Sequence, residues 1–299
     1  MDVPHGLNEL VPGLAIGEVD RSGRPLRWLA AGRGDPPIVL VPGAGETSLD
    51  WLPILPTAAE LSTVVALDRA GLGLSEPAPH VTVLSQVDDL AAVLAHTGPA
   101  VVVGHSWGGL LAQLVAWRQP ESVLGLVLVD PSDEEVAAAI PRRLRVLVAA
   151  MGPALTAAHA VGQFHRLARP MARRLAELST DDPRLRGTVE AAYLAAYRSS
   201  RQVRMIGREN RLGLGSVRAV RAARASVSPP EVPVVVLTAT TGKRPDLQRR
   251  AQERHATLGR QIIVDGAGHY IHHDRPQAVV DAIAAVLSQA RGSGSTGRR

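Results

Sequence analysis

The chain has no cysteine among its 299 residues, which excludes disulfides, thiolate metal sites and a thiol nucleophile together. Lysine is almost as scarce. Lys243 is the single lysine among 33 basic residues, an arginine bias that reads as base composition rather than chemistry. Aromatic residues make up only 3%, and the most basic segment offers just Phe164, Tyr193 and Tyr197 for stacking. With no nucleic-acid motif either, nucleic acid is not an expected partner. There is no transmembrane candidate, and no membrane partner is expected. The opening MDVPHGLNEL lacks the basic start and apolar run of a secretory signal, so the cytoplasm is the expected location. No cluster has metal-ligand spacing, and neither a metal nor an organic cofactor is expected.

What the chain does have is alternation. Leu14 to Val19 and Leu26 to Ala31 predict a hairpin, and Ile38 to Val41 predicts a short buried strand between prolines. Helix (from about Leu49), strand (Val64 to Leu67), helix (Leu84 to His96) and strand (Ala100 to Val103) follow. After a helix over 106–119, Val123 to Val129 form a continuous apolar run, as expected of a parallel strand covered on both faces. From Glu134 to about Ser226 no strand is expected, only helical stretches broken by Pro141, Pro153, Pro170 and Pro183. The longest of these runs from Pro183 towards Asn210. Alternation resumes with strands at Val232 to Leu237 and Gln261 to Val264, then a last helix from Pro276 to about Gln289. The pattern predicts an α/β fold with a doubly wound, mostly parallel sheet. Residues 14–133 and 229–290 form its core, 134–228 an inserted all-helical lid, and 291–299 a low-complexity, disordered tail.

Charge is segregated along the chain. Residues 134–231 hold 17 arginines against eight acids, a formal +9, while the whole chain is +5. The remainder is therefore −4.

The stretch GHSWGG (104–109) places Ser106 between glycines where a strand turns into a helix. A backbone turning that sharply has no room for side chains at the flanking positions. The helix N-terminus also favours developing negative charge at the serine. On its own the pattern fits a nucleophile and a capping serine equally well. VPGAG (41–45), DRAGLGLSEP (68–77), LVLVDPS (126–132) and GAGHY (266–270) each follow a predicted strand as well. Together with GHSWGG, in this order, they resemble an α/β-hydrolase with a helical lid. In lid size and acid position the chain is similar to discrete thioesterases that release polyketide acids, including the polyether type, from carrier proteins.

The resemblance implies a Ser-His-Asp triad that transfers an acyl group through an acyl-enzyme to water. Ser106 is the nucleophile and His269 the base. Most of the family carries the acid after the strand at Val232 to Leu237, but that loop reads TATTGKRPD and has nothing acidic before Asp246. Asp130, which closes the strand beside the one bearing Ser106, is the preferred acid, and Asp246 is the alternative. The backbone N–H groups of Trp107 and Ala44 form the expected oxyanion hole, with Pro42 and Gly43 standing where the family often has His-Gly. Asp68, Arg69, Gly71, Gly73 and Ser75 match a structural loop; His105 is expected to point away from the Ser106 side chain, and His272 and His273 to face solvent or pack at the last helix. A serine at the elbow argues against the epoxide hydrolase and haloalkane dehalogenase branches, which use aspartate there. The expected substrate is an ester or thioester. The preferred reading is a thioesterase releasing a polyketide-type acyl chain from an acidic acyl carrier protein docked on the basic lid. A small-molecule carboxylesterase or lactonase is the alternative, followed by a catalytically silent binding module.

Overall fold

The computed structural model describes residues 6–225, 231–241 and 245–296. Eight strands form one sheet: β1 (Ala15–Asp20), β2 (Pro25–Ala31), β3 (Ile38–Val41), β4 (Val64–Leu67), β5 (Ala100–His105), β6 (Val123–Val129), β7 (Val234–Ala239) and β8 (Arg260–Val264). Their order is β1-β2-β4-β3-β5-β6-β7-β8. β2 runs antiparallel to β1 and β4, and every other pair is parallel.

The helices are α1 (Leu7–Leu10), α2 (Leu55–Leu61), α3 (Val83–Thr97), α4 (Ser106–Arg118), α5 (Glu134–Ala138), α6 (Arg142–Ala160), α7 (Phe164–Ser179), α8 (Pro183–Ala196), α9 (Ser200–Gly215), α10 (Val217–Ala225), α11 (Pro245–Glu253), α12 (Ile271–Asp274) and α13 (Pro276–Thr296). Central strands read as unbroken apolar runs because both faces are covered. Val101, Val103, Val127 and Val129 join one buried cluster with α2 and α13, while Val102, Leu126 and Leu128 join another with α3 and α4. Side chains alternate across each strand, so one sequence feeds two cores.

Among the described residues, 134–225 contribute six helices and no strand. The point of return to the sheet, expected at 229, lies outside the described residues. Three expectations for this region need correction. Pro153 and Pro170 lie inside α6 and α7 and do not break them. Both are exposed, so each missing N–H leaves its carbonyl partner to water, and packing of α6 on α9 and α7 on α8 holds the turns. The stretch from Pro183 is two helices, because Ser199 starts a new one by accepting from Arg201 N–H. The longest helix of the insertion is α6. At the end of the chain, α13 continues through Thr296. Residues 291–296, expected in a disordered tail, are therefore helical, and 297–299 lie outside the described residues. Leu7 and Val11, ahead of the expected start of the core, are fully buried.

Candidate active site

β5 ends at His105, and α4 begins at the next residue, Ser106. The turn holds Ser106 at φ +48°, a left-handed conformation costly for a residue with a Cβ. The flanking glycines are required. A Cβ at Gly104 would stand 2.5 Å from the carbonyl oxygen of Gly108, and one at Gly108 would strike the carbonyls of Val41 and Pro42. The strain pushes the Ser106 hydroxyl out of the sheet towards the loops beyond β6 and β8.

Asp130 follows β6, which pairs with β5 in parallel. It too has a positive φ, +42°, so two of the three non-glycine residues in that region among the described residues face each other across this site. Its carboxylate is 1% exposed and accepts four hydrogen bonds. Ala239 N–H and Gln252 Nε2 reach Oδ1 at 3.2 and 3.0 Å, and Gln248 Nε2 and His269 Nδ1 reach Oδ2 at 2.7 and 2.6 Å. On its other side, His269 Nε2 lies 2.9 Å from Ser106 Oγ. The Asp130 contact fixes the tautomer, leaving the Nε2 lone pair for the serine proton. Asp246, the alternative acid, sits exposed in the first turn of α11. That helix instead directs Gln248 and Gln252 at Asp130. These two glutamines were not anticipated, and neither was Ser132, whose Oγ is 3.3 Å from Ser106 Oγ.

The expected amide donors are close by. Trp107 N–H lies in the first turn of α4, where no intrahelical acceptor exists. In the loop after β3, the neighbouring amides are occupied: Gly43 N–H donates to Glu46 and Gly45 N–H to Glu209. Ala44 N–H has no partner among the described residues. Ala44, Ser106, Trp107 and His269 line one cavity of about 290 Å³, walled by apolar residues of the insertion including Val136, Ile140, Val148 and Val217.

Glu209 of α9 reaches into this loop. Fully buried, it accepts from Gly45 N–H (2.7 Å), Gln86 Nε2 (2.6 Å), Arg69 Nε (2.8 Å) and Arg69 Nη2 (2.7 Å). Arg69 also donates to the carbonyls of Pro42 and Gly43. Asp68 accepts from Ser48 and Leu74, and although those bonds lower its pKa, burial lifts it to about 6. The loop at 68–77 is thus scaffolding that ties the insertion to the sheet.

His272 and His273 do not face solvent. Both are buried, with α12 packed against α13. His273 Nε2 donates to Asp50 O, while among the described residues neither ring nitrogen of His272 has a hydrogen-bond partner. Among the described residues, Glu46, His105 and His272 place ligand atoms within 4.8 Å of one another, but Glu46 and His105 already engage each other at 2.9 Å. No described helix is long and apolar enough to cross a membrane.

Comparison with known proteins places the chain in a family. A family model described as "Alpha/beta hydrolase family" matches residues 38–282. Over 233 residues the chain is 28% identical to an sn-1-specific diacylglycerol lipase of Mus musculus, covering 75% of this chain and 71% of that relative. Over 107 residues it is 35% identical to a pimeloyl-[acyl-carrier protein] methyl ester esterase of Sodalis glossinidius, covering 36% and 41%. Two further curated relatives are spanned over only 31% and 39% of their own length. A solved epoxide hydrolase, CorEH without ligand, superposes with a TM-score of 0.72 at 21% identity, over 92% of this chain and 99% of that one. That likeness concerns the fold alone. With a match that runs from β3 through the insertion into α13, the chain belongs to the alpha/beta hydrolase family.

Proposed function

We propose that the chain is a serine hydrolase that cleaves an ester or thioester through an acyl-enzyme on Ser106. The observation that carries this reading is the unbroken series Asp130 Oδ2, His269 Nδ1, His269 Nε2, Ser106 Oγ, with contacts of 2.6 and 2.9 Å at the mouth of an apolar cavity. In this reading His269 takes the Ser106 proton as Oγ attacks the carbonyl carbon. The amides of Trp107 and Ala44 stabilise the oxyanion. Collapse of the tetrahedral intermediate expels the alcohol or thiol, which receives the proton from His269. Water, deprotonated by the same imidazole, then releases the acid. Asp130 holds the ring and stabilises the imidazolium.

A thioester on an acidic acyl carrier protein, released as a polyketide-type acid, is the preferred substrate. Arg201, Arg204, Arg208 and Arg211 of α9 line a single groove of about 910 Å³ between α6 and α9. Among the described residues, Arg204, Arg208 and Arg211 have no carboxylate within ion-pair distance. Opposite charges across such a surface speed and orient docking. A second reading, a carboxylesterase or lactonase for small substrates, is favoured by the cavity at Ser106. Its volume of about 290 Å³ sits at the lower end of ligand pockets and holds an acyl end rather than a whole polyketide. Hydrolysis of carrier-bound and N-acetylcysteamine thioesters of one acyl group separates the two. The preferred reading expects a carrier-bound advantage that shrinks with salt and with Arg204→Gln/Arg208→Gln. Equal rates at every salt concentration leave the small-ester reading.

A further inference from the structure

We propose that Glu46 and His105 are positioning residues that set the oxyanion loop and the base loop relative to the nucleophile, an inference that rests on the serine hydrolase reading. His105 is the residue before Ser106 and is fully buried. Its Nδ1 lies 2.9 and 3.0 Å from the two oxygens of Glu46, and its Nε2 lies 2.9 Å from the backbone carbonyl of His269. Glu46 Oε2 also accepts from Gly43 N–H at 2.6 Å, while Glu46 N–H donates back to Gly43 O at 3.1 Å. One buried pair therefore touches three segments. It closes the turn that presents Ala44 N–H, it adjoins Ser106 through the chain, and it holds the carbonyl of the residue proposed as base.

The hydrogen bonds leave one proton between Nδ1 of His105 and Oε1 of Glu46, and the electrostatics of the pair put it on the imidazole. The His269 carbonyl only accepts, so Nε2 of His105 carries a proton. Glu46 Oε2 faces a backbone N–H, so it accepts as well. Nδ1 lies against a carboxylate whose other contact is already an amide, and a lone pair there would be repelled. An imidazolium bound to a carboxylate satisfies every group. Burial works against charge on both, yet the two partners raise the pKa of His105 above the ordinary histidine value and hold Glu46 below the usual carboxylate value. Gly43 completes the fit: a Cβ there would come within 2.5 Å of Glu46 Oε1 and 2.7 Å of His105 Nδ1. Position 43 therefore has room only for glycine.

Such a pair acts on geometry. A reacting group displaced by about 1 Å loses on the order of 10²-fold in rate, and releasing this pair frees two loops at once. Two variants break the link at different points. Glu46→Leu removes the acceptor for Gly43 and His105. His105→Gln keeps an amide against Glu46 but falls short of the His269 carbonyl. A third, Glu46→Gln, keeps an oxygen for Gly43 N–H and offers N–H to Nδ1 of a neutral His105 whose Nε2–H still reaches His269.

The test measures kcat and KM on a p-nitrophenyl ester for variants whose melting shows a folded state, beside NMR spectra of the His105 and His269 rings. The expected result is a kcat lowered by about 10²-fold with KM unchanged in Glu46→Leu and His105→Gln. Most of the rate should return in Glu46→Gln. Wild-type spectra should show two slowly exchanging ring N–H signals from His105, one of which Glu46→Gln removes. Should Glu46→Leu not fold, His105→Gln decides. A folded Glu46→Leu or His105→Gln with wild-type kcat, or a loss confined to KM, overturns the proposal. If the wild type itself turns over nothing, the hydrolase reading fails separately, and unchanged His269 resonances in the two disrupting variants would overturn the positioning role on its own.

Discussion

Replacing Glu209 with leucine perturbs the joint between the helical insertion and the sheet. In the native chain this carboxylate, fully buried, is the counter-ion of Arg69, itself 2% exposed. It is also the acceptor for Gly45 N–H and Gln86 Nε2. Burial opposes the charge on Arg69, and Glu209 is the main group that restores it, raising the guanidinium pKa above its ordinary value. Leucine leaves that cation without a carboxylate partner at bonding distance. Breaking one side of a buried pair costs about 3–5 kcal/mol. The carbonyls of Pro42 and Gly43, which Arg69 also contacts, place the expectation near the lower figure. For a chain of this size about 3 kcal/mol corresponds to a fall in Tm of roughly 6–12 °C, readable by calorimetry. The double variant Arg69→Met/Glu209→Leu should recover much of that loss, because removing both charges ends the desolvation penalty. A Glu209→Leu protein melting within 2 °C of wild type, or a double variant no more stable than the single, would refute this account of the joint.

Asp130→Asn should lower turnover by something like 10⁴-fold, because the amide no longer fixes the His269 tautomer, while Asp246→Asn leaves it unchanged; the reverse pattern in steady-state kinetics would reassign the acid. Asp50 is pushed up to about 8 by burial, with the neighbouring Glu46 adding to the shift. A folded-state pKa raised above the unfolded one gives stability at low pH that is lost as pH rises towards that value, so the Asp50 contribution should be lost between about pH 4 and 8, and Asp50→Asn should hold its Tm better than wild type as pH rises through that range. Asp133 behaves in the opposite sense. Burial alone would raise it, but His255, the Glu135 amide and Arg254 hold it at about 2, so its contribution is present above the ordinary carboxylate range and lost as pH falls through about 4 to 2; Asp133→Asn should remove that part of the acid-side loss in a pH series of melts.

Much of the sheet was legible because its signals are local. Unbroken valine-rich runs mark Ala100–His105, Val123–Val129 and Val234–Ala239, and the turn after the first carries glycines. Ser106 and His269 were legible as loop residues in strand-end motifs, and the absence of an acid between Ala239 and Asp246 directed attention to Asp130. The insertion was less legible, since packing between helices overrode the local signal of Pro153 and Pro170, while a single capping serine, Ser199, divided one apparent helix into two. Contacts distant in sequence left no local trace at all. Gln248 and Gln252 reach Asp130 across 118 and 122 residues, Glu209 reaches Arg69 across 140, and Glu46 reaches His105 across 59. Each of these residues is an ordinary polar side chain on its own helix or loop, and only the fold makes it a partner.

In the proposed reaction Ser106 is a nucleophile activated by His269. Its most direct test is the intact mass of wild type and Ser106→Ala after exposure to a fluorophosphonate, read beside turnover of p-nitrophenyl esters. The expected result is a single adduct on the wild type, none on Ser106→Ala, and turnover that disappears with the adduct. A folded wild type that takes no label and turns over no ester would contradict it, and would leave this cavity as a binding site rather than an active one.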